Sequence, residues 1–180
     1  MKDAPDLNPR LIYRGKKIDL ALQSVRLSDG STADREVVIH RGAVALLPMV
    51  DHNHICLVKN GRYSVGKTLL EVPAGTIDAG ESPDETAPRE LTEETGYIAG
   101  QVERIAEWWV SPGVMTERMY LYLCRDLVLH ATNHQPDEQL EPLIVPWNDA
   151  VAMVHEGRID DAKSMLAILW YDRIRNSSKL

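Results

Sequence analysis

The sequence predicts an α/β (α+β) sandwich built around a mixed sheet, preceded by an N-terminal antiparallel sheet layer. Two observations carry this. Short apolar runs bounded by turn residues greatly outnumber helical stretches, and the few helices are separated along the chain. The first 40 residues hold strand-like segments and no helix. A length of 180 residues supports one good core and is short for two ordinary domains. The expected division is a strand-rich layer over 1–40 and a main domain over 41–180. A sheet with no helix of its own must bury its apolar face on another surface, such as that of a second subunit.

The elements follow in order. Leu11 to His40 reads as strands with a turn: IDLALQSVRL partly alternates, SDGS turns, and REVVIH resumes a strand. Val44–Met49 and Ile55–Lys59 are short apolar strands, with Asp51–Asn53 in the turn between them. Leu69–Val72 is a strand running into PAGT. Ser82–Thr95 is a charged helix closed by Gly96. Strands are expected near Glu103–Val110, Met119–Arg125 and Leu143–Val145, then helices near Trp147–His155 and Ala162–Arg175.

Composition narrows the function. A formal charge of −7 argues against a nucleic-acid backbone as partner, because that requires a basic surface. No apolar run approaches the roughly 20 residues of a membrane span. MKDAPDLNPR lacks the apolar stretch of a signal peptide, so a cytoplasmic location is expected. Cys56 and Cys124 lie in apolar strand-like runs and read as buried free thiols. His52 and His54 share a turn with no third ligand in sight, so a solvated turn is the reading there.

The informative stretch is Gly75–Tyr97, GTIDAGESPDETAPRELTEETGY. Glu90 and Glu94 are four residues apart, so on a helix their carboxylates share one face, with Glu93 adjoining. Like charges so placed destabilise a helix unless a cation lies between them. Hard oxygen ligands suit Mg²⁺ or Mn²⁺. Arg89 can pair with Glu93, and Gly75 allows a tight turn that exposes a backbone carbonyl, that of Ala74. Ser82, Pro83 and Glu85 form a well-made helix start. Pro88 then falls inside the helix, where it removes a hydrogen bond at a cost of about 3 kcal/mol. Either the helix kinks there, or it begins nearer Pro88, which puts the reach of Glu81 in question.

This stretch resembles the Nudix box, G-x5-E-x7-R-E-U-x-E-E-x-G-U, at every fixed letter: Gly75, Glu81, Arg89, Glu90, Glu93, Glu94 and Gly96. Leu91 fills the first aliphatic slot, and Tyr97 departs mildly from the last. Three further stretches resemble the branch that cleaves ADP-ribose and other nucleoside-diphosphate sugars. Arg62–Gly75 looks like R-x-x-x-G-x-x-x-L-E-x-P-A-G; Ser111-Pro112-Gly113 puts a proline fifteen positions past the box; GRIDDAKSMLAILWY is similar to the branch's last helix and its lead-in. The similarity spans roughly residues 40–172.

The resemblance implies a Nudix-type α-β-α sandwich and a magnesium-dependent pyrophosphohydrolase. It implies Ala74, Glu81, Glu90 and Glu94 as metal ligands, with Arg89 and Glu93 in the catalytic group. Glu138, in the acidic segment HQPDEQLEP, is implied as general base, with Glu141 the second candidate. Arg62, Pro112 and Glu117 are expected against the substrate. ADP-ribose would give AMP and ribose 5-phosphate; GDP-mannose or a UDP-sugar would undergo the same chemistry. A non-catalytic nucleotide-binding regulator is the reading of another class, opposed by the retention of every box glutamate. A homodimer through the N-terminal strands is also expected.

Overall fold

The computed structural model describes residues 9–130 and 140–177. Its elements are β1 (Arg10–Arg14), β2 (Ile18–Arg26), β3 (Thr32–His40), β4 (Ala43–Pro48), β5 (His54–Arg62), β6 (Lys67–Glu71), β7 (Ala74–Thr76), α1 (Pro83–Thr95), β8 (Tyr97–Trp109), β9 (Arg118–Leu129), β10 (Leu140–Pro146), α2 (Trp147–His155) and α3 (Ala162–Ser177). They form three sheets, ordered β1-β2-β3, β10-β5-β6 and β7-β4-β9-β8.

β4 organises the interior. It is buried along its whole length, pairs in parallel with β9 and antiparallel with β7, and alternates its side chains between two cores. Ala43, Ala45 and Leu47 join Ile55, Leu57, Trp147, Ala167 and Ile168 on the face covered by α2 and α3. Val44 and Leu46 meet Ala87 and Leu91 of α1 on the other. This is the helix-sheet-helix sandwich. Truncating Leu46 or Leu47, both fully buried, to Ala should cost about 2–5 kcal/mol each.

Capping sets the start of α1. Ser82 accepts from the Glu85 amide while Glu85 reaches back to the Ser82 amide, and Pro83 takes the first helical position. Gly96 ends the helix at φ 73°, a left-handed conformation that glycine adopts without penalty. The helix therefore begins at Pro83 and runs through Pro88, forgoing the bond that residue cannot donate. Tyr122 ties the first turn to the sheet by donating to Asp84.

The N-terminal sheet is antiparallel throughout, and its last strand is attached to the main domain. Val38 donates to the Val114 carbonyl, and Thr116 donates back to Val38. The Thr116 hydroxyl accepts from the His40 amide and donates to the His40 carbonyl.

Several boundaries differ from the expectations. β8 begins at Tyr97, not Glu103, because it pairs with a β9 that continues to Leu129. Val128 and Leu129 are 68% and 69% exposed, so this end of the hairpin lacks the burial that marks a strand in sequence. β7 departs from the turn expected there; three small residues after a proline read as turn, and tertiary pairing with β4 makes them a strand. His54 opens β5 instead of lying in the turn, and its ring pairs with Asp51. Among the described residues, no helix is long and apolar enough to cross a membrane.

Candidate functional site

Edge strand β7 and helix α1 bring the box residues together. Pro73 and Ile77 bond to β4 and the residue before it, through the Leu46 amide and the Gly42 carbonyl respectively. Strand alternation therefore turns the amide and carbonyl of Ala74 away from β4. Glu94, 5% exposed, takes the Ala74 amide at 2.9 Å, leaving the Ala74 carbonyl facing the same side. Glu90 lies one helical turn before Glu94, against the backbone of Gly75.

Arg89 is the counterion. Its guanidinium grips Glu81 through two bonds of 3.0 and 2.8 Å, and donates to Glu90 at 2.8 Å and Glu93 at 3.1 Å. These hydrogen bonds hold the Glu81 carboxyl down at about 2, against a smaller opposing effect of burial. The glutamates raise the Arg89 pKa in return, first through the Glu81 hydrogen bonds. With α1 starting at Pro83, the Glu81 carboxylate thus reaches the cluster.

The donor chemistry fits a hard divalent cation. Glu90 and Glu94, with the outward carbonyl of Ala74, offer oxygen ligands to one side of β7, and waters commonly complete such shells. Among the described residues no three acidic, imidazole or thiol side chains form a ready-made cage. Arg89 holds Glu81, Glu90 and Glu93 about itself, so these three would have to share it or release it, in part, to join a cation. A charge of −4 on four glutamates against one arginine leaves the cluster strongly electronegative.

The other expected residues are spread over neighbouring elements. Arg62, at the end of β5, forms a bidentate pair with Glu71 at 2.8 and 2.6 Å. Glu94 and Asp161 also raise its pKa through their charge, after the larger effect of Glu71. Pro112 lies in the turn after β8. Glu117 lies on the loop bound to β3, 3.9 Å from His40 Nδ1, with its side chain 16% exposed. Glu141 sits on β10, 68% exposed, and pairs with Lys59 at 2.8 Å. Glu138 lies outside the described residues.

Sequence reasoning passed over a buried ionic network beside Arg62. Glu71, 1% exposed, also receives Lys163, which bonds Asp161 as well. Asp161 caps α3 by accepting from the Ser164 amide and hydroxyl, and the Ser164 hydroxyl accepts from the Val72 amide. The motif letters held the signal, since Glu71 is the E of L-E-x-P-A-G and Asp161 opens DAKS. A separate cavity of about 390 Å³, between α2 and α3, is lined by residues including Trp147, His155 and Arg175 and contains none of the α1 carboxylates.

The NUDIX domain model matches residues 39–167. The chain is 38% identical over 159 residues to an ADP-ribose pyrophosphatase of Bacillus subtilis, covering 87% of this chain and 86% of the relative. It is 35% identical, at the same coverage, to a methanol dehydrogenase activator of Bacillus methanolicus. A GDP-mannose pyrophosphatase of Pectobacterium atrosepticum is 37% identical over 78% of this chain and 70% of its own length. A solved structure of an ADP compounds hydrolase superposes with a TM-score of 0.81 at 22% identity, covering 96% of this chain and 94% of that one. That likeness is one of fold. The matched span and the identity to these relatives show that the chain belongs to the NUDIX domain family.

Proposed function

We propose that this protein hydrolyses the diphosphate linkage of a nucleoside-diphosphate sugar, with ADP-ribose giving AMP and ribose 5-phosphate. The observation that carries the reading is the grouping of Glu90, Glu94 and the outward carbonyl of Ala74 along one side of β7. The family generally requires a divalent metal, and Mg²⁺ is the ion proposed here, with Mn²⁺ able to replace it. Glu90, Glu94 and the Ala74 carbonyl would hold such an ion, which would offset the charge of the diphosphate and make water a better nucleophile.

The chain's own residues supply the rest. Arg89 fixes the rotamers of Glu81, Glu90 and Glu93, so the acidic face is organised before any ligand arrives. Arg62, whose charge is felt by Glu94, is assigned a phosphate or the distal ribose of the substrate. Glu138 is assigned the proton of the attacking water, with Glu141 second because Lys59 already holds it. Water forms a bond to one phosphorus as the bridging P–O bond breaks. Pro112 and Glu117 complete the substrate side.

The same chemistry on GDP-mannose is the second reading, supported by the similarity to the GDP-mannose pyrophosphatase. The similarity to an activator protein gives a regulatory reading some support, but every box carboxylate is retained here. We also infer a homodimer. Leu11, Ile12, Tyr13 and Ile18 of the N-terminal sheet are 40–61% exposed, a patch suited to a second copy.

The test is hydrolysis of a panel of ADP-ribose, GDP-mannose, UDP-glucose, diadenosine polyphosphates and dGTP with Mg²⁺ or Mn²⁺. Strong preference for one sugar nucleotide supports the reading and names the substrate. Glu94→Gln should then lose several orders of magnitude in kcat while still folding. Inactivity of the wild type across the panel would overturn the enzymatic reading.

A further inference from the structure

We propose that Lys163, acting through Glu71, is a positioning residue for Arg62, so that the first turn of α3 sets how the enzyme grips its substrate. The inference rests on the reading that Arg62 contacts the diphosphate or distal sugar.

Glu71 is 1% exposed, and a carboxylate that deep is stable only when cations hold it. It has two. Arg62 donates Nε and Nη2 to its two oxygens, the fork-on-fork geometry that fixes a guanidinium plane. Lys163 donates to Oε2, the oxygen that Arg62 Nη2 also uses. The orientation of Glu71, and with it the plane of Arg62, therefore depends on where Lys163 stands.

Lys163 is itself held. Its side chain is 12% exposed and bonds Asp161 at 2.8 Å. Asp161 is the cap of α3, and Ser164 connects that cap to the Val72 amide. Val72 lies two residues before Ala74, which presents its amide to Glu94. The chain of contacts joins β5, β6 and α3 and reaches the lead-in to β7 at Val72.

Two cations and two carboxylates make this network neutral overall. With Lys163 removed, Glu71 and Asp161 face each other's charge with one cation between them. Arg62 is then drawn further inward, away from a substrate. The half-exposed guanidinium, 39% by side chain, is the part of the network that can reach a ligand; Glu71 and Lys163 cannot. They act through Arg62 or not at all.

A double-mutant cycle tests this in the full-length protein, with ADP-ribose and the other sugar nucleotides as substrates. Lys163→Met should raise KM about tenfold and leave kcat within about twofold. Lys163→Arg should restore most of the loss. In an Arg62→Ala background, Lys163→Met should change KM little, because the residue it acts through is gone. Equal factors in both backgrounds would overturn the inference, as would a loss confined to kcat. Should Lys163→Met melt too low to assay, the milder Lys163→Gln in the wild-type and Arg62→Ala backgrounds decides the matter by the same comparison. A wild type inactive on every sugar nucleotide refutes the underlying reading instead, which separates the two failures.

Discussion

The carboxylate of Glu90 occupies the space that a side chain at Gly75 would need: a Cβ there would lie 1.9 Å from Glu90 Cδ and 2.1 Å from its Oε1. Any larger residue here must displace the Glu90 carboxylate, the free end of a flexible side chain, so the cost falls on the placement of Glu90 more than on the fold. Gly75→Ala must push Glu90 off the strand. We expect the variant to fold with a loss of about 1 kcal/mol and to lose metal-dependent hydrolysis by about 100-fold. Thermal melts and steady-state kinetics check it. An Ala variant with full activity would show that Glu90 can sit elsewhere and still work.

Arg89 stands where a cation is wanted. Replacing it with Met leaves Glu81, Glu90 and Glu93 without their common partner, and the protein should lose about 1–3 kcal/mol. Added Mg²⁺ should then raise the melting temperature of Arg89→Met by more than it raises that of the wild type, since the ion replaces the missing charge. Equal metal-induced shifts in the two proteins would contradict this.

Asp161 links stability to pH. Burial pushes its carboxyl up, but Lys163 and the Ser164 hydrogen bonds outweigh burial and hold it below its ordinary 3.8. The folded state thus binds this proton less readily than the unfolded state. The stabilisation is complete above about pH 4 and fades as pH falls through the lowered folded value. Asp161→Asn should be less stable than the wild type at neutral pH, and the gap should narrow progressively as pH falls below about 4. A gap constant from neutral to strongly acidic pH would exclude this linkage.

The extent to which these features can be read from sequence follows from how local they are. The box helix, its cap at Ser82 and its close at Gly96 depend on residues within a turn of one another, and all are legible. So is the pairing of Arg89 with Glu93 at i, i+4. The grip of Arg89 on Glu81 crosses the helix start and needs the structure. Strand β7 escapes a sequence reading because AGT owes its conformation to β4, some thirty residues earlier. Lys163 gives no periodic signal; only the fold puts it beside Glu71, 92 residues away in the chain. Pro88 misleads in the other direction, since the helix is already started by its cap at Ser82 and runs on through it.

The two thiols give a simple check on the interior. Burial raises Cys56 to about 11 and Cys124 to about 12, the latter with no opposing hydrogen bond. Neither should react with a thiol reagent at about pH 8 in the native protein, and both should react once it is unfolded in guanidinium. Rapid labelling of one native thiol would mean that its strand opens locally.

The attachment of β3 to the loop after Ser111 has a consequence for how this protein can be recombined. Two backbone bonds at Val38 and the double use of the Thr116 hydroxyl at His40 make the first 40 residues and that loop one hydrogen-bonded unit. Cutting the chain after His40 strips partners from Val114 and Thr116, inside the segment that carries Pro112 and Glu117. The N-terminal sheet is therefore not a detachable module. A chimera that exchanges it with a relative's must exchange residues 111–117 along with it, or leave a seam of unpaired amides and carbonyls at that loop.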